Sequence, residues 1–166
     1  KGKKALEKTF DAVLMNTPFG YTIEGNKGRV RLESQHLTQV TDCVPESRRC
    51  AAVVPGGLLN RTAAEDVELR KRFVEEFHVE QVILLPISAF LPYAEVRTGI
   101  FIFAKEKGDG MTRFYDLRKV EPEKLKSLTE IYRKSGTVCT LNRTILTKHQ
   151  YILSTEEYMG EEKVDE

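Results

Sequence analysis

Apolar positions along this chain follow two rhythms, one of strands and one of helices. Phe10-Asp-Ala-Val-Leu-Met15 is a short apolar run stopped by a proline, and it reads as a buried strand. Residues 17–32 carry Gly20, Gly25 and Gly28 among polar residues and read as a loop. From Glu33 to Val44, the spacing of Leu37, Val40 and Val44 predicts a helix. Arg49-Cys-Ala-Ala-Val-Val54 is a second strand, closed by the turn Pro55-Gly56-Gly57. Thr62 and Glu65 have the spacing of a capping box, and Leu69, Phe73 and Phe77 then recur every four residues beside Val74. This is the best-defined helix. Val79–Leu85 and Thr98–Ala104 are a third and a fourth strand, separated by a loop holding Phe90, Pro92 and Tyr93, and Thr112–Leu117 is a fifth. Pro122 starts a further helix with a stripe of Leu125, Leu128 and Tyr132, stopped at Gly136. Residues 160–166 are mostly acidic and are expected to fray.

Strands that alternate with helices, two of them apolar almost throughout, predict an α/β sheet covered on both faces. The third and fourth strands have only a loop between them. So short a return predicts an antiparallel pair, placed at one edge. No internal repeat is evident. At 166 residues the chain fits one domain or part of a larger one.

Composition narrows the function little. The net charge is +1, which does not by itself call for nucleic acid. Lys1, Lys3, Lys4 and Lys8 form a basic cluster, as do Arg48 with Arg49 and Arg70, Lys71 with Arg72; each reads most simply as a solvated face balanced by acidic neighbours. Cys43, Cys50 and Cys139 are odd in number and widely spaced, as expected of buried thiols in a reducing, cytoplasmic compartment. His36, His78 and His149 are scattered and predict no metal site. No apolar run approaches the ~20 residues of a membrane span, and no signal peptide is visible.

The candidate chemistry lies at Asn16-Thr17-Pro18-Phe19, directly after the first strand. Open α/β sheets bind ligands beyond the carboxyl ends of their strands, so the tetrapeptide stands where a site belongs. Asn and Pro are also common turn residues, and four residues alone favour a plain turn. The surrounding order changes the balance. Phe10–Gly20 resembles the catalytic motif of amino-methyltransferases, Asn-Pro-Pro-Phe/Tyr after an apolar strand. Ala52-Val-Val-Pro-Gly-Gly-Leu-Leu59 resembles the next strand and turn of that family, and Glu68-Leu-Arg-Lys-Arg-Phe73 the helix that follows. Val82-Ile-Leu-Leu-Pro86 with Phe90, then Val96–Lys105, resembles the final strand pair, and Tyr115-Asp116-Leu117 and Tyr158-Met-Gly160 resemble its ending. Taken in this order, the chain resembles the DNA adenine-N6 methyltransferases that form the modification subunit of type I restriction systems, and their fused relatives.

The resemblance implies the C-terminal part of a Rossmann-like, S-adenosylmethionine-dependent methyltransferase sheet with a short helical extension. Residues 1–119 are then the C-terminal half of the catalytic domain, and residues 120–166 the extension and acidic tail. It implies transfer of a methyl group to the N6 amino group of adenine. The Asn16 side-chain oxygen and the Thr17 carbonyl would accept the amino protons, with Asn16 also facing the donor; Pro18 would stiffen the turn and Phe19 would stack on a flipped base. Thr17 stands where the family has proline. The carbonyl is unchanged by this, so Thr17→Pro is expected to be tolerated. The family's donor-binding turn lies upstream of residue 1, so the isolated chain is expected not to bind S-adenosylmethionine and to self-associate through its first strand. Implied partners are DNA, a specificity subunit, in some systems a restriction subunit, and the upstream part of the same protein. Two other readings are an amino-methyltransferase acting on protein glutamine or RNA guanine, and a docking fragment without catalysis.

Overall fold

The structure is a computed structural model and describes residues 11–25, 28–44, 48–106, 108–121, 127, 129 and 138–158. Its strands are β1 (Ala12–Asn16), β2 (Thr22–Gly25), β3 (Gly28–Arg31), β4 (Arg49–Pro55), β5 (His78–Leu84), β6 (Thr98–Ala104), β7 (Met111–Asp116) and β8 (Cys139–Asn142). Its helices are α1 (Leu32–Cys43), α2 (Gly56–Asn60), α3 (Ala64–Glu75) and α4 (Arg143–Lys148). The helix expected after Pro122, the acidic tail and the first basic cluster lie outside the described residues.

Six strands form one sheet in the order β1-β4-β6-β5-β7-β8. β1 runs parallel to β4, and β5 to β7; β6 runs antiparallel to both β4 and β5, and β8 antiparallel to β7. The carboxyl ends of β1, β4, β5 and β7 therefore share one end of the sheet with the start of β6. The predicted mixed α/β sheet and its antiparallel pair β5–β6 are present. The pair is not at an edge, because β6 inserts between β4 and β5 and the sheet continues through β7 and β8. Residues 139–148 thus add a strand as well as a helix.

Alternation along the strands sends one set of side chains into a single core. Cys50, Ala52 and Val54 of β4 meet Val82 and Leu84 of β5 and Phe101 and Phe103 of β6, under Leu37 of α1, Leu59 of α2 and Phe73 of α3. Phe73 lies 4.9 Å from Phe101 and 4.8 Å from Phe103, ring centre to ring centre, in edge-to-face contact. This is the stripe that the four-residue spacing predicted. The opposite-facing residues Leu14, Ala51, Val53, Ile83, Ile100 and Ile102 range from half-buried to exposed. Among the described residues, then, the sheet is fully covered on one face only. Gly99 permits the close packing at the centre: a Cβ there would lie 2.8 Å from Leu59 and 3.3 Å from the Ile83 carbonyl.

Three local expectations change. The stretch read as a loop contains the hairpin β2–β3, whose strands are largely exposed and so show no apolar alternation. The Pro55-Gly-Gly turn opens directly into α2. The capping box does not form. Ala63 is the N-cap of α3 without a side-chain bond, because Glu65 pairs instead with Arg31 from the end of β3.

Arg70 is a further correction. It is buried, where the charge pattern had placed it on a solvated face. Its guanidinium donates to the carbonyls of Tyr151 (2.8 Å) and Leu58 (2.9 Å), which ties α3 to α2 and to the turn after α4. Burial lowers its pKa, opposed by the nearby Asp66 carboxylate. The neighbouring arginines behave as read: Arg72 pairs with Glu76 at 3.1 Å, Arg49 with Glu80 at 3.0 Å and Arg48 with Asp11 at 3.2 Å.

Candidate acceptor site

β1 ends at Asn16, which pairs with Val53 of β4. The chain then leaves the sheet at its carboxyl end, as the motif's position in the sequence predicted. Asn16 is exposed, and no hydrogen bond engages its side-chain amide among the described residues. The next residue is its opposite. Thr17 is buried, its hydroxyl donates to the Val53 carbonyl at 2.9 Å, and its N–H reaches the same oxygen at 3.4 Å. A proline would stiffen this loop by fixing φ. Thr17 stiffens it by anchoring it to β4. Pro18 and Phe19 are half-buried, and Gly20, at φ 76°, turns the chain into the hairpin through a conformation that favours glycine.

The hairpin is fixed at its far end as well. The Leu32 N–H donates to the Tyr21 carbonyl at 2.9 Å, closing the base of β2–β3. Arg31 then reaches α3, pairing with Asp66 at 3.2 Å and with Glu65. Asp66 is fully buried, and burial raises its pKa while Arg31 and Arg61 pull it back. The acceptor loop is therefore bracketed by β4 on one side and α3 on the other, an arrangement that keeps its groups in place.

The structure brings a second aromatic ring to this loop. Phe90, in a short 3-10 turn after β5 (Ile87–Phe90), meets Phe19 edge-to-face with ring centres 5.9 Å apart. Sequence order noted Phe90 only as part of a strand-pair likeness. Seventy-one residues separate it from Phe19, so no local pattern could join them. Its signal was indirect: an aromatic just beyond the end of a strand whose carboxyl end faces the same way. Exposed Asn16, the anchored Thr17 backbone and the ring pair together present hydrogen-bond acceptors beside an aromatic surface. That combination suits a planar heterocycle carrying an amino group.

At the same end of the sheet, between β4, β6 and β5, lies a cleft of about 260 Å³ lined by Gly56, Asn60, Leu84, Arg97, Thr98 and Arg118. Arg118 is committed there. It donates to Asp116 at 2.6 Å and to Glu156, and these bonds hold the Asp116 carboxyl below its usual range and the Arg118 guanidinium above its own. No group of three His, Cys, Asp or Glu side chains is placed to hold a metal ion, and no helix is long and apolar enough to cross a membrane, among the described residues.

Comparison with known proteins agrees with this geometry. The chain is similar to a solved structure from work on complex assembly in the type I restriction–modification system, at 22% identity and TM-score 0.71, covering 91% of this chain and 38% of that one. It is similar to the type I restriction–modification methyltransferase subunit from Streptococcus thermophilus at 17% identity and TM-score 0.67, covering 90% and 40%. It is similar to the M protein of the type I restriction enzyme EcoKI at 18% identity and TM-score 0.57, covering 90% and 31%. This chain thus spans about two fifths or less of the length of these structures, whose likeness establishes the fold. No curated protein matches it significantly by sequence. The family model of the N-6 DNA methylases matches residues 1–137, and the chain belongs to that family.

Proposed function

We propose that this chain supplies the acceptor half of a DNA adenine-N6 methyltransferase of the restriction–modification type. The observation that carries the reading is the pairing of an unengaged Asn16 amide with the Phe19–Phe90 rings at the carboxyl end of β1. In the reaction the methyl–sulfur bond of S-adenosylmethionine breaks, a methyl–nitrogen bond forms at N6, and a proton leaves N6 for solvent. The donor supplies an electrophilic methyl group on a good leaving group, so no strong base is needed. The work of this chain is on the acceptor. The Asn16 side-chain oxygen and the Thr17 carbonyl accept the two amino protons, aim the nitrogen lone pair and stabilise the positive charge that grows there. Phe19 stacks on the extrahelical base, and Phe90, perpendicular to Phe19, supports that ring from its side.

β1 is the edge of the sheet, and its Leu14 side chain is 83% exposed. The cleft of about 260 Å³ lies across β4 from Asn16. We assign most of donor binding to parts of the enzyme outside the described residues, with Asn16 meeting the donor from this side. Catalytic residues fall within 1–119, and 120–166 form the C-terminal extension. DNA and a specificity subunit are the partners this reading requires, in a cytoplasmic enzyme that some systems join to a restriction subunit.

Single-turnover methylation by the complete enzyme tests the reading, with donor affinity measured in parallel. Asn16→Ala is expected to slow methyl transfer by about a hundredfold or more, ~3 kcal/mol, with donor affinity nearly unchanged. Phe19→Ala is expected to weaken binding of the flipped base together with the rate, by ~1–3 kcal/mol. Near-parental turnover by Asn16→Ala would reduce the motif to a turn after a strand.

A further inference from the structure

We propose that the tip Leu91-Pro92-Tyr93, between β5 and β6, is the wedge that enters the base stack and fills the space left by the flipped adenine. The inference rests on the methyltransferase reading and adds to it a second DNA-contacting element. Leu91 is 55% exposed and Tyr93 94% exposed, although both are large and apolar or aromatic. Large side chains of this kind clustered on a surface mark a place where something docks. The tip is also held firmly. The N–H groups of Tyr93 and Ala94 both donate to the Phe90 carbonyl, at 2.9 and 3.0 Å, and the Leu91 N–H donates to Ser88 at 3.1 Å. One compact turn therefore carries Phe90 inward, against Phe19, and Leu91 and Tyr93 outward.

That geometry suits base extrusion. The ring that receives the base and the side chains that replace it in the stack sit within four residues of each other. Apolar and aromatic wedges of this type enter duplexes by unstacking a base step, and they are repaid by stacking on the exposed neighbours. Arg97, at the end of the same loop, is exposed, and its guanidinium makes no hydrogen bond or ion pair among the described residues. It is free to contact a flanking phosphate and set the angle at which the tip enters. A protein partner is a poorer fit, because a subunit docked on this tip would crowd the Phe19–Phe90 mouth that the base must reach.

The test compares two duplexes with the complete enzyme: one with the target adenine paired to thymine, and one with the same adenine in a mismatch. Both Leu91 and Tyr93 are exposed, so their substitution leaves the fold intact. The double variant Leu91→Ala, Tyr93→Ala is expected to lose about tenfold or more of its single-turnover rate on the paired duplex. On the mismatched duplex, where the base is already loose, it is expected to return to within about threefold of the parent. Tyr93→Phe, which keeps the ring, should recover most of the rate that the double variant loses on the paired duplex. Arg97→Gln should weaken binding to both duplexes alike and reduce its salt dependence. An equal loss on both duplexes, no loss on either, or loss of a copurifying protein subunit would overturn the wedge. Failure of the methyltransferase reading shows differently, since the unsubstituted enzyme would then methylate neither duplex.

Discussion

Among the described residues, the two outer strands of the sheet differ. β8 is short, and the chain closes over it at once: Asn142 ends the strand and caps α4, its side chain accepting from the Ile145 N–H at 3.0 Å, and Leu141 and Leu146 are buried. β1 is bare. Val13 and Met15 are half-buried against the core, and Ala12, Leu14 and Asn16 stand exposed. The β1 side carries Asn16-Thr17-Pro18-Phe19. An amide proposed to bind a substrate must keep its hydrogen-bonding capacity, and Asn16 keeps it among the described residues because order in this loop comes from a neighbour. Thr17 shows how, since its bonds to Val53 fix the loop and leave Asn16 free.

Substitutions in each region can break this contrast. The largest expected effect is in the core between them. Phe73→Ala removes the ring that packs on Phe101 and Phe103 and should cost about 3–5 kcal/mol, read by chemical denaturation. At the open edge, Leu14→Lys should leave folding stability nearly unchanged. It should shift any concentration-dependent association of the isolated chain toward monomer by about tenfold or more in sedimentation, as edge lysines do. If Leu14→Lys instead destabilises the monomer, β1 is not the open edge described here.

Smaller effects sharpen the role of Thr17. Thr17→Val deletes the hydroxyl bond and should cost ~1 kcal/mol. Thr17→Pro deletes that bond and the N–H donor together, so the tolerance expected from the sequence reverses, and it should be the less stable of the two. Thermal denaturation of both variants decides the order. The smallest effect is a pH dependence at the far end of β5. His78 is buried, and burial lowers its pKa from 6.5 against the pull of Asp109 and Glu80, with Arg113 and Arg143 lowering it further. Its folded-state pKa is depressed, so protonation favours the unfolded chain. Its contribution is present above pH 6.5 and is lost as pH falls through the lowered value. His78→Gln should flatten the stability profile in that window.

Most of the elements were legible in the sequence because they depend on local rhythm. The Leu69–Phe73 stripe, the strands β4–β7 and the position of Asn16 at a strand end all follow from spacing that any window of the chain displays. The motif's position was legible too, because Asn16 and Thr17 are adjacent in sequence and lie together at the end of β1 whatever the rest of the fold. Long-range partnership was not. Whether Glu65 capped a helix or paired with Arg31, whether Arg70 faced water or the Tyr151 carbonyl, where β6 entered the sheet and which ring met Phe19 were decided by contacts far apart in the sequence. Burial can hold a guanidinium among carbonyls only once the fold supplies them, and a charge pattern read along the chain carries no record of that. The sequence by itself determined that Asn16-Thr17-Pro18-Phe19 follows an apolar strand of an α/β sheet, a strand it read as buried. Only the tertiary structure decided that this strand alternates between exposed and half-buried at the outside of the described sheet, with Thr17 anchored to β4 and Phe90 facing Phe19, because those relations are set by strand order and not by periodicity.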